Sequence, residues 1–534
     1  MGMRITNGII NNNTKSNILV NKEYSDKYNT MVATGQKITR PSDDPIVAIR
    51  ALRLNNNISE INQYYGKNIP DAEAWLDVTE TALKQTEEVL SSVQEAMTQG
   101  ASDDNTADDR KNILENLKGL RDQIYSSGNA DYAGRTVFTG FRTGESLTYT
   151  KDETKLMTMV ETFTDKDFET FRYVSGAYDK DILDLNAYNS ATDSQLNVKN
   201  NDVIRLRLAY DNLTADQNDI YGNELPREFA VKDKDGNTLV EAGSFSVKEL
   251  GTNQAANDRL YTDVDDYGVT LITTTGELII GKKLAEQMRQ ALYQNQDSTL
   301  SVEYAKEDWR KNDLRPEHYF AAKTYDSIND REIDYNYDDD GNPAFEDKKI
   351  QYEIAYNQKL DINVNADEVY KTSIARDVDA LLTATQDCQT AYEKLKKAED
   401  LEKNLESKFA PGTPEYEKEE IRRNVKELKD SLQKQYDYYK ENMQKMFSKG
   451  LTIFKGYSED INNKIAALGG MSNRVKLTKN RVGDQLDNFK ELADENINVE
   501  LTESAIDLKN AEIALEAAQQ AAAKVAKASL LNYL

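Results

Sequence analysis

The sequence predicts a mainly α-helical protein with a β-rich insertion, in which long, coiled-coil-like helices from both chain ends pack together. Three observations predict this fold class. Apolar residues recur every three or four positions in residues 1–130 and again in 371–534, which is typical of amphipathic helices. Apolar and polar residues alternate through much of 145–370, as they do in half-buried antiparallel strands. The two helical blocks occupy opposite ends of a 534-residue chain, so a chain that folds back on itself brings them together.

Composition excludes several classes of function. The formal net charge is −26, so nucleic acid and acidic lipid would repel the chain, and we expect neither nucleic acid nor a membrane as a partner. The single cysteine, Cys388, and the single histidine, His318, cannot form an internal disulfide, a Cys/His zinc site or a histidine-centred triad. No run has the length of an apolar membrane span, and the N-terminus lacks the apolar core of a cleaved signal peptide. We expect no cofactor.

The first helix should end at Gly35, because glycine is a common helix terminator. Proline disfavours helical geometry in the residue before it, and aspartate followed by proline is a strong signal for the start of a helix. The sequence therefore predicts a structural turn that starts a second helix. Its residues are Arg40, Pro41, Ser42, Asp43, Asp44 and Pro45.

A coiled-coil seam follows in residues 45–98, where apolar residues alternate at spacings of three and four. Pro70 lies within this seam, and it predicts a kink or a short break in the helix. A third helix is predicted from the spacing of Ile113, Leu117, Leu120 and Ile124.

The middle block is interpreted as one or two antiparallel β domains with a helix near 281–294. Residues 203–208 and 350–354 alternate as strands do, and Asp235-Gly236 is a typical hairpin turn. Asn336, Asp338 and Asp340 have the spacing of the first ligands of a calcium loop, with Asp347 at the twelfth position. Such a loop begins with aspartate and ends with glutamate, so we favour a hairpin turn at Asp340 over an ion site at Asp338–Asp340.

The last block begins with a predicted helical hairpin at about 374–449, broken by Pro411-Gly412-Thr413-Pro414. A further long helix follows, with an interruption expected at Gly469-Gly470. The terminal helix has a seam rich in alanine, which buries little apolar area, so we expect both chain ends to become ordered only against neighbouring subunits. The predicted assembly interface consists of Ile18, Tyr24, Tyr28, Met31, Leu501, Ala505, Leu508, Ala511, Leu515, Ala518, Ala522 and Val525.

Catalytic motifs are not evident in the sequence. It contains no glycine-rich phosphate loop and no Gly-x-Ser-x-Gly elbow. Carboxylates are so frequent that no pair of them is informative, and His318 is expected to be an ordinary surface residue. We therefore expect a protein that is not an enzyme.

Several segments resemble the bacterial flagellin superfamily, and in particular its hook-associated members. The segment Thr34–Pro45 is similar to the most characteristic stretch of that family. The departures are Pro70 and the segment Leu468–Arg474, which matches the family only in part. The resemblance covers residues 1–140 and 455–534. The segments that carry it are Met3–Asn7, Thr34–Pro45, Asn68–Leu83, Gly134–Gly140 and Ser529–Leu534.

This resemblance implies a structural subunit of the bacterial flagellum that forms the junction between hook and filament. It implies export by the flagellar type III apparatus, without a cleaved signal peptide, to an extracellular location. The implied partners are hook-associated protein 1, flagellin, other copies of this chain in a ring or helical layer, and an export chaperone that binds the C-terminal helix. A flagellin filament subunit is the first alternative, and a secreted adhesin or enzyme with coiled-coil ends is the second.

Three domains are expected on the same basis. Residues 1–40 plus 500–534 would be the terminal polymerisation helices. Residues 41–140 plus 371–499 would form an α-helical rod domain that includes the hairpin, and residues 141–370 would form a β-rich variable outer part.

Overall fold

The computed structural model describes residues 7–102, 105–176, 197–295, 297–338, 340, 341, 343, 344, 349–409, 412 and 414–531. For residues 7, 107 and 525–531 the description covers the backbone alone. Some predicted features therefore lie outside the described residues. They are Met3–Thr6, Asn342, Asp347, Pro411, Thr413, the side chain of Val525 and Asn532–Leu534.

The chain is mainly helical with a β-rich middle, as predicted, and the two long terminal helices pack against each other. The helices are α1 (Asn7–Thr34), α2 (Pro45–Gln63), α3 (Ile69–Gly100), α4 (Ala107–Ile124), α5 (Gln254–Thr262), α6 (Lys282–Gln294), α7 (Ala366–Val369), α8 (Thr372–Lys408), α9 (Glu415–Ile497) and α10 (Leu501–Leu531).

The chain divides into two compact units. The first comprises Met1–Glu73, Gln351–Leu360 and Ser472–Leu534, and the second comprises Ala74–Ile350 and Asp361–Met471.

The predicted disturbance at Pro70 is a π turn rather than a break. A five-residue π-helix, Tyr64–Asn68, joins α2 to α3, and the Ile69 N–H donates to the Tyr64 carbonyl five residues earlier. Proline has no N–H for the usual bond to the carbonyl four residues back. The π turn lies just before the position of this missing hydrogen bond, and the chain remains helical through Pro70.

The predicted interruption at Gly469-Gly470 is wrong, because α9 is continuous over 83 residues. Glycine lowers helix stability by roughly 1 kcal/mol relative to alanine, but it keeps its backbone N–H. Ile461 and Leu468 are buried within the second unit and hold the helix there by packing. The helical hairpin is confirmed, since Leu395 and Leu401 of α8 share a core with Val425 and Leu428 of α9.

The strands form two larger sheets and two small hairpins. One sheet has the order β13-β12-β3-β11-β6-β7 and is antiparallel throughout, and the other has the order β4-β5-β10-β9-β8. The pair β8–β9 is parallel, but the two larger sheets are otherwise antiparallel, as predicted. The strands are β1 (Asp131–Tyr132), β2 (Arg135–Thr136), β3 (Glu153–Phe163), β4 (Glu169–Ser175), β5 (Lys199–Arg207), β6 (Glu228–Lys232), β7 (Thr238–Ser244), β8 (Ser246–Lys248), β9 (Val269–Ile272), β10 (Glu277–Ile280), β11 (Thr299–Trp309), β12 (Ala321–Asp326), β13 (Arg331–Tyr335), β14 (Gln351–Ala355) and β15 (Gln358–Asp361).

Both larger sheets contribute to one hydrophobic core. Met157 and Met159 of β3 lie in the same buried cluster as Leu206 of β5 and Leu278 of β10. The predicted helix near 281–294 is α6, which buries one face on this core. The two larger sheets therefore pack as a single body, in which the hairpin at Asp235-Gly236 joins β6 to β7 as predicted.

His318 is not a surface residue, contrary to the expectation. Only 5% of it is exposed, and its ring Nε2 lies 3.1 Å from the Ser146 carbonyl oxygen. It belongs to a short 3₁₀ turn, Pro316–His318, which connects β11 to β12. A single residue in a connection has no periodicity, so the sequence pattern carried no signal of this burial.

The calcium-loop candidate contains a turn. The Asp338 carboxylate accepts the Asp340 N–H at 3.1 Å, and an antiparallel bridge joins Tyr337 to Pro343 across it. The Asn336 amide donates to the carbonyls of Glu317 and Phe320. No group of three or more His, Cys, Asp or Glu residues is arranged for a metal ion in the described part of the chain.

Candidate assembly surface

The terminal helices α1 and α10 lie side by side in the first unit, but their packing is shallow. The Asn21 side-chain amide of α1 donates to the Ala514 carbonyl of α10 at 3.3 Å. Between 501 and 524, Ser504 and Ala511 are the only buried residues. The pair is therefore held by partial contacts along its length rather than by a closed core.

The structure places the predicted interface residues at different depths. Ala511 is buried, whereas Tyr24, Leu501 and Ala505 are exposed. The Tyr24 and Tyr28 rings stack with centroids 6.4 Å apart. Half-buried positions are Ile18, Tyr28, Met31, Leu508, Leu515, Ala518 and Ala522.

A backbone clamp joins the end of α1 to the start of α10. Gly35 has a φ of +70° and its N–H donates to the Met31 carbonyl at 2.8 Å, which ends α1 as predicted. The chain then forms an antiparallel bridge between Gln36 and Asn498. The Lys37 N–H donates to the Ile497 carbonyl, and the Val499 N–H donates to the Gly35 carbonyl.

The turn at Arg40–Pro45 has the predicted cap. The Asp44 carboxylate accepts the N–H groups of Ile46 at 3.0 Å and Val47 at 3.2 Å, and Pro45 is the first helical residue. Asp43 closes the turn from within, since its carboxylate accepts the Arg40 N–H at 2.8 Å and also the Thr39 N–H. These backbone hydrogen bonds lower the pKa of Asp43. Arg40, Pro41 and Ser42 are exposed beside it.

Sequence analysis missed a second set of apolar residues, which point to solvent. On α2, Ala48, Ala51 and Leu54 are buried, while Ile46, Ile49 and Leu52 are exposed. The fractions exposed are 71%, 53% and 61% in that order. The helix α2 is therefore apolar on two faces and has more apolar surface than its own unit covers. The spacing of Ile46, Ile49 and Leu52 in the sequence could have revealed this second face.

The helices α1 and α10 also expose apolar side chains. On α10, Ile506 and Ile513 are 57% and 56% exposed, and their separation of seven residues places them on one face. Leu19 and Val20 of α1 are also exposed. A groove of about 710 Å³ runs between α1 and the Arg40–Pro45 turn. Together these features define a surface with uncovered apolar side chains at both chain ends.

Among the described residues, no helix combines the length and apolarity that spanning a bilayer requires.

The N-terminal part of this surface is similar to a known family of bacterial proteins, the flagellins. Residues 5–143 match the family described as the bacterial flagellin N-terminal helical region. That segment contains α1, the Arg40–Pro45 turn and α2. The resemblance recognised in the sequence is therefore confirmed for this part of the chain.

Within that class, the chain is similar to flagellar hook-associated protein 3. It is 29% identical to the Salmonella typhimurium protein of that name over 142 residues, which are 26% of this chain and 44% of the relative. It is 25% identical to a flagellin of Clostridium tyrobutyricum over 143 residues, 27% of this chain and 38% of the relative. The match thus spans less than half the length of either relative. A solved hook-associated protein 3 from Legionella pneumophila aligns with 84% of this chain and 98% of its own length, at 10% identity and a TM-score of 0.28.

Proposed function

We propose that this chain is a structural subunit of the bacterial flagellum that forms the junction between hook and filament. The observation that carries the proposal is the match of residues 5–143 to the bacterial flagellin N-terminal helical region. A stretch of 142 residues is also 29% identical to a flagellar hook-associated protein 3. The uncovered apolar residues of α1, α2 and α10 support it, because exposed apolar strips on a secreted subunit are suited to assembly. A structural role needs no catalytic residues.

The proposed interface combines the predicted seam with the exposed strips. One face of α10 packs on α1, and the opposite face presents Ile506 and Ile513 to a neighbouring copy. The Arg40–Pro45 turn would set the direction in which α2 leaves this interface. The terminal helices, the helical rod and the β-rich part would then be successive domains of the subunit.

Its proposed partners are other flagellar components. Hook-associated protein 1 would lie on one side, flagellin on the other, and further copies of this chain within the same layer. An export chaperone would bind the C-terminal helix before assembly, in the helix-in-groove mode. The proposed route is the flagellar type III apparatus, which delivers the subunit outside the cell.

Electron microscopy of a deletion strain tests the proposal. Loss of a junction protein should leave intact hooks and should release flagellin into the medium, and the intact gene should restore filaments. A strain that keeps its filaments would contradict the proposal. A strain that lacks filaments and secretes no flagellin would instead favour the alternative, a flagellin subunit.

Purified protein separates the same two candidates. The similarity to a flagellin over 143 residues is the observation that favours the alternative. A filament subunit should form long filaments by itself under polymerising salt, whereas a junction subunit should stop at short assemblies. Sedimentation and negative-stain microscopy of the full chain distinguish these outcomes.

A further inference from the structure

The exposed apolar residues of α2 lie beside two basic residues. Ile46, Ile49 and Leu52 are each more than half exposed. Arg50 and Arg53 are also exposed, and they are the only charged residues in the N-terminal half of α2. These three apolar and two basic residues together form the basic strip of α2.

The exposed apolar residues of α10 lie beside acidic residues instead. Ile506 and Ile513 share one face, and Glu512 and Glu516 are exposed next to it. These four residues form the acidic strip of α10. Between 501 and 520 the helix carries four carboxylates and one lysine, which give it a net charge of −3.

The charges of the two strips have few partners within the subunit. Neither arginine of the basic strip forms an ion pair with another residue that the structure describes. Glu512 pairs with Lys509 at 3.3 Å, but both side chains are more than half exposed, and exposed pairs of this kind contribute little. Glu516 accepts one long hydrogen bond, from the Gln520 amide at 3.5 Å. Both strips can therefore form ion pairs with a neighbouring molecule at little cost.

Charge complementarity selects the pairing of these two strips with each other. Two basic strips, or two acidic strips, would bring like charges together, which disfavours a symmetric contact. The helix α1 is a poorer match for either strip, because its three lysines and two carboxylates nearly cancel. A contact between different surfaces of identical copies is heterologous, and such contacts build rings or open helices.

The positions of the charges also give the contact a direction. In both strips the charged pair lies towards the C-terminal end of the apolar residues. At 3.6 residues per turn, the arginines lie on one side of the apolar row of α2, and the glutamates lie on the opposite side of the row of α10. Two facing helices of this kind bring their charges together only when they run parallel. The arginines are about 4.5 Å apart along the helix axis and the glutamates about 6 Å apart, so both pairs can form at once.

We propose that the basic strip of α2 in one subunit packs in parallel on the acidic strip of α10 in a neighbouring copy of this chain. The apolar residues of the two strips would cover each other, with Ile46 near Ile506, and the two arginines would pair with the two glutamates. This inference rests on the proposed function, because it names the contact that would join the copies within one layer.

Charge reversal in the deletion strain tests the pairing of the strips. Arg50→Glu with Arg53→Glu should lower the number of filaments per cell at least tenfold, because it places carboxylates against carboxylates. Glu512→Arg with Glu516→Arg should have the same effect. All four changes in one chain should restore at least half of the normal number, since the strips then match again with their signs exchanged.

The matched control is Lys111→Glu with Lys118→Glu, which reverses two exposed charges on α4 and should leave the filament number unchanged. Normal filaments with either reversal alone would overturn the proposal. So would a chain with all four changes that restores no filaments, because the α2 strip would then be covered by a different partner.

Cross-linking of purified full-length chains tests the parallel direction. A chain with Ile46→Cys is mixed, in polymerising salt, with a chain that carries either Ile506→Cys or Ile513→Cys, and a short bismaleimide is added. The native Cys388 is buried, so the unaltered chain should give little background. We expect at least fivefold more cross-linked dimer with position 506 than with position 513, which lies about 10 Å further along the helix.

Equal yields from the two mixtures, a higher yield with position 513, or no cross-linked dimer from either would overturn the proposal. The cross-link reports a contact between purified chains, whereas the deletion strain carrying the intact gene reports the junction role. A failure of this contact is therefore distinguishable from a failure of the proposed function.

Discussion

Replacement of Ile506 and Ile513 by aspartate should block assembly without destabilising the subunit. Both side chains are more than half exposed, so the isolated chain gains little from them. In an interface, full burial of an isoleucine contributes roughly 1.5–3 kcal/mol. Because slightly over half of each residue remains to be buried, the pair should contribute roughly 2–3 kcal/mol to each subunit contact.

Aspartate adds a second effect, since an unpaired carboxylate in an apolar interface costs several kcal/mol or prevents burial. We therefore expect the affinity between subunits to fall by at least 100-fold. The assay is complementation of a deletion strain, with filaments counted by electron microscopy and released flagellin measured in the medium. Thermal unfolding of the purified variant, followed by circular dichroism, should give an unchanged Tm.

The matched control is Gln519→Asp with Ala523→Asp, which places the same two charges on a different part of the α10 surface. It should support filaments as the unaltered chain does. Normal filaments in the Ile506 and Ile513 variant would refute the assignment of this strip to an interface. A Tm lower by several degrees would show instead that these side chains belong to the core of the monomer.

Four further predictions concern the Asp44 cap of α2, the predicted seam of α10, the order of α10 in the free subunit, and the buried Glu161 of the β-rich region. Asp44→Ala should lower stability by about 1 kcal/mol in urea unfolding and should reduce motility, because it removes the N-cap of α2. Leu508→Asp with Leu515→Asp should abolish assembly and chaperone binding in pull-down assays. Hydrogen exchange on the free subunit should show weak protection across 501–524, and strong protection there would contradict assembly-dependent ordering. Burial raises the pKa of Glu161 to about 7 from 4.5. The folded chain therefore keeps a proton that the unfolded chain releases, so stability should fall as pH rises between about 4.5 and 7, and Glu161→Gln should remove that slope.

Features encoded by neighbouring residues were predictable from the sequence. Gly35 ends α1 and Asp44 caps α2, because each acts through backbone groups within four residues of itself. The hairpin at Asp235-Gly236 is another example, since the turn type depends on the turn residues. The predictions made from these local signals agree with the structure.

Features that depend on distant packing were not predictable in the same way. Gly469-Gly470 has the local signature of a break, yet packing keeps α9 helical. The pairing of β3 with β11 joins residues far apart in the chain, so alternation within each strand could not give the sheet order. The burial of His318 likewise depends on which neighbours surround it.

The two ends of the chain combine firm local geometry with weak packing, and this combination favours assembly. The clamp between Gly35 and Val499 and the cap at Asp44 consist of hydrogen bonds that need no second subunit. By contrast, α10 has 31 residues, and ordering each costs roughly 1–2 kcal/mol. The few buried side chains of α10 cannot offset that cost, whereas the apolar surface at Ile506 and Ile513 is still available. Neighbouring copies that cover this surface would supply the missing stabilisation, so the helix and the assembly should become stable together.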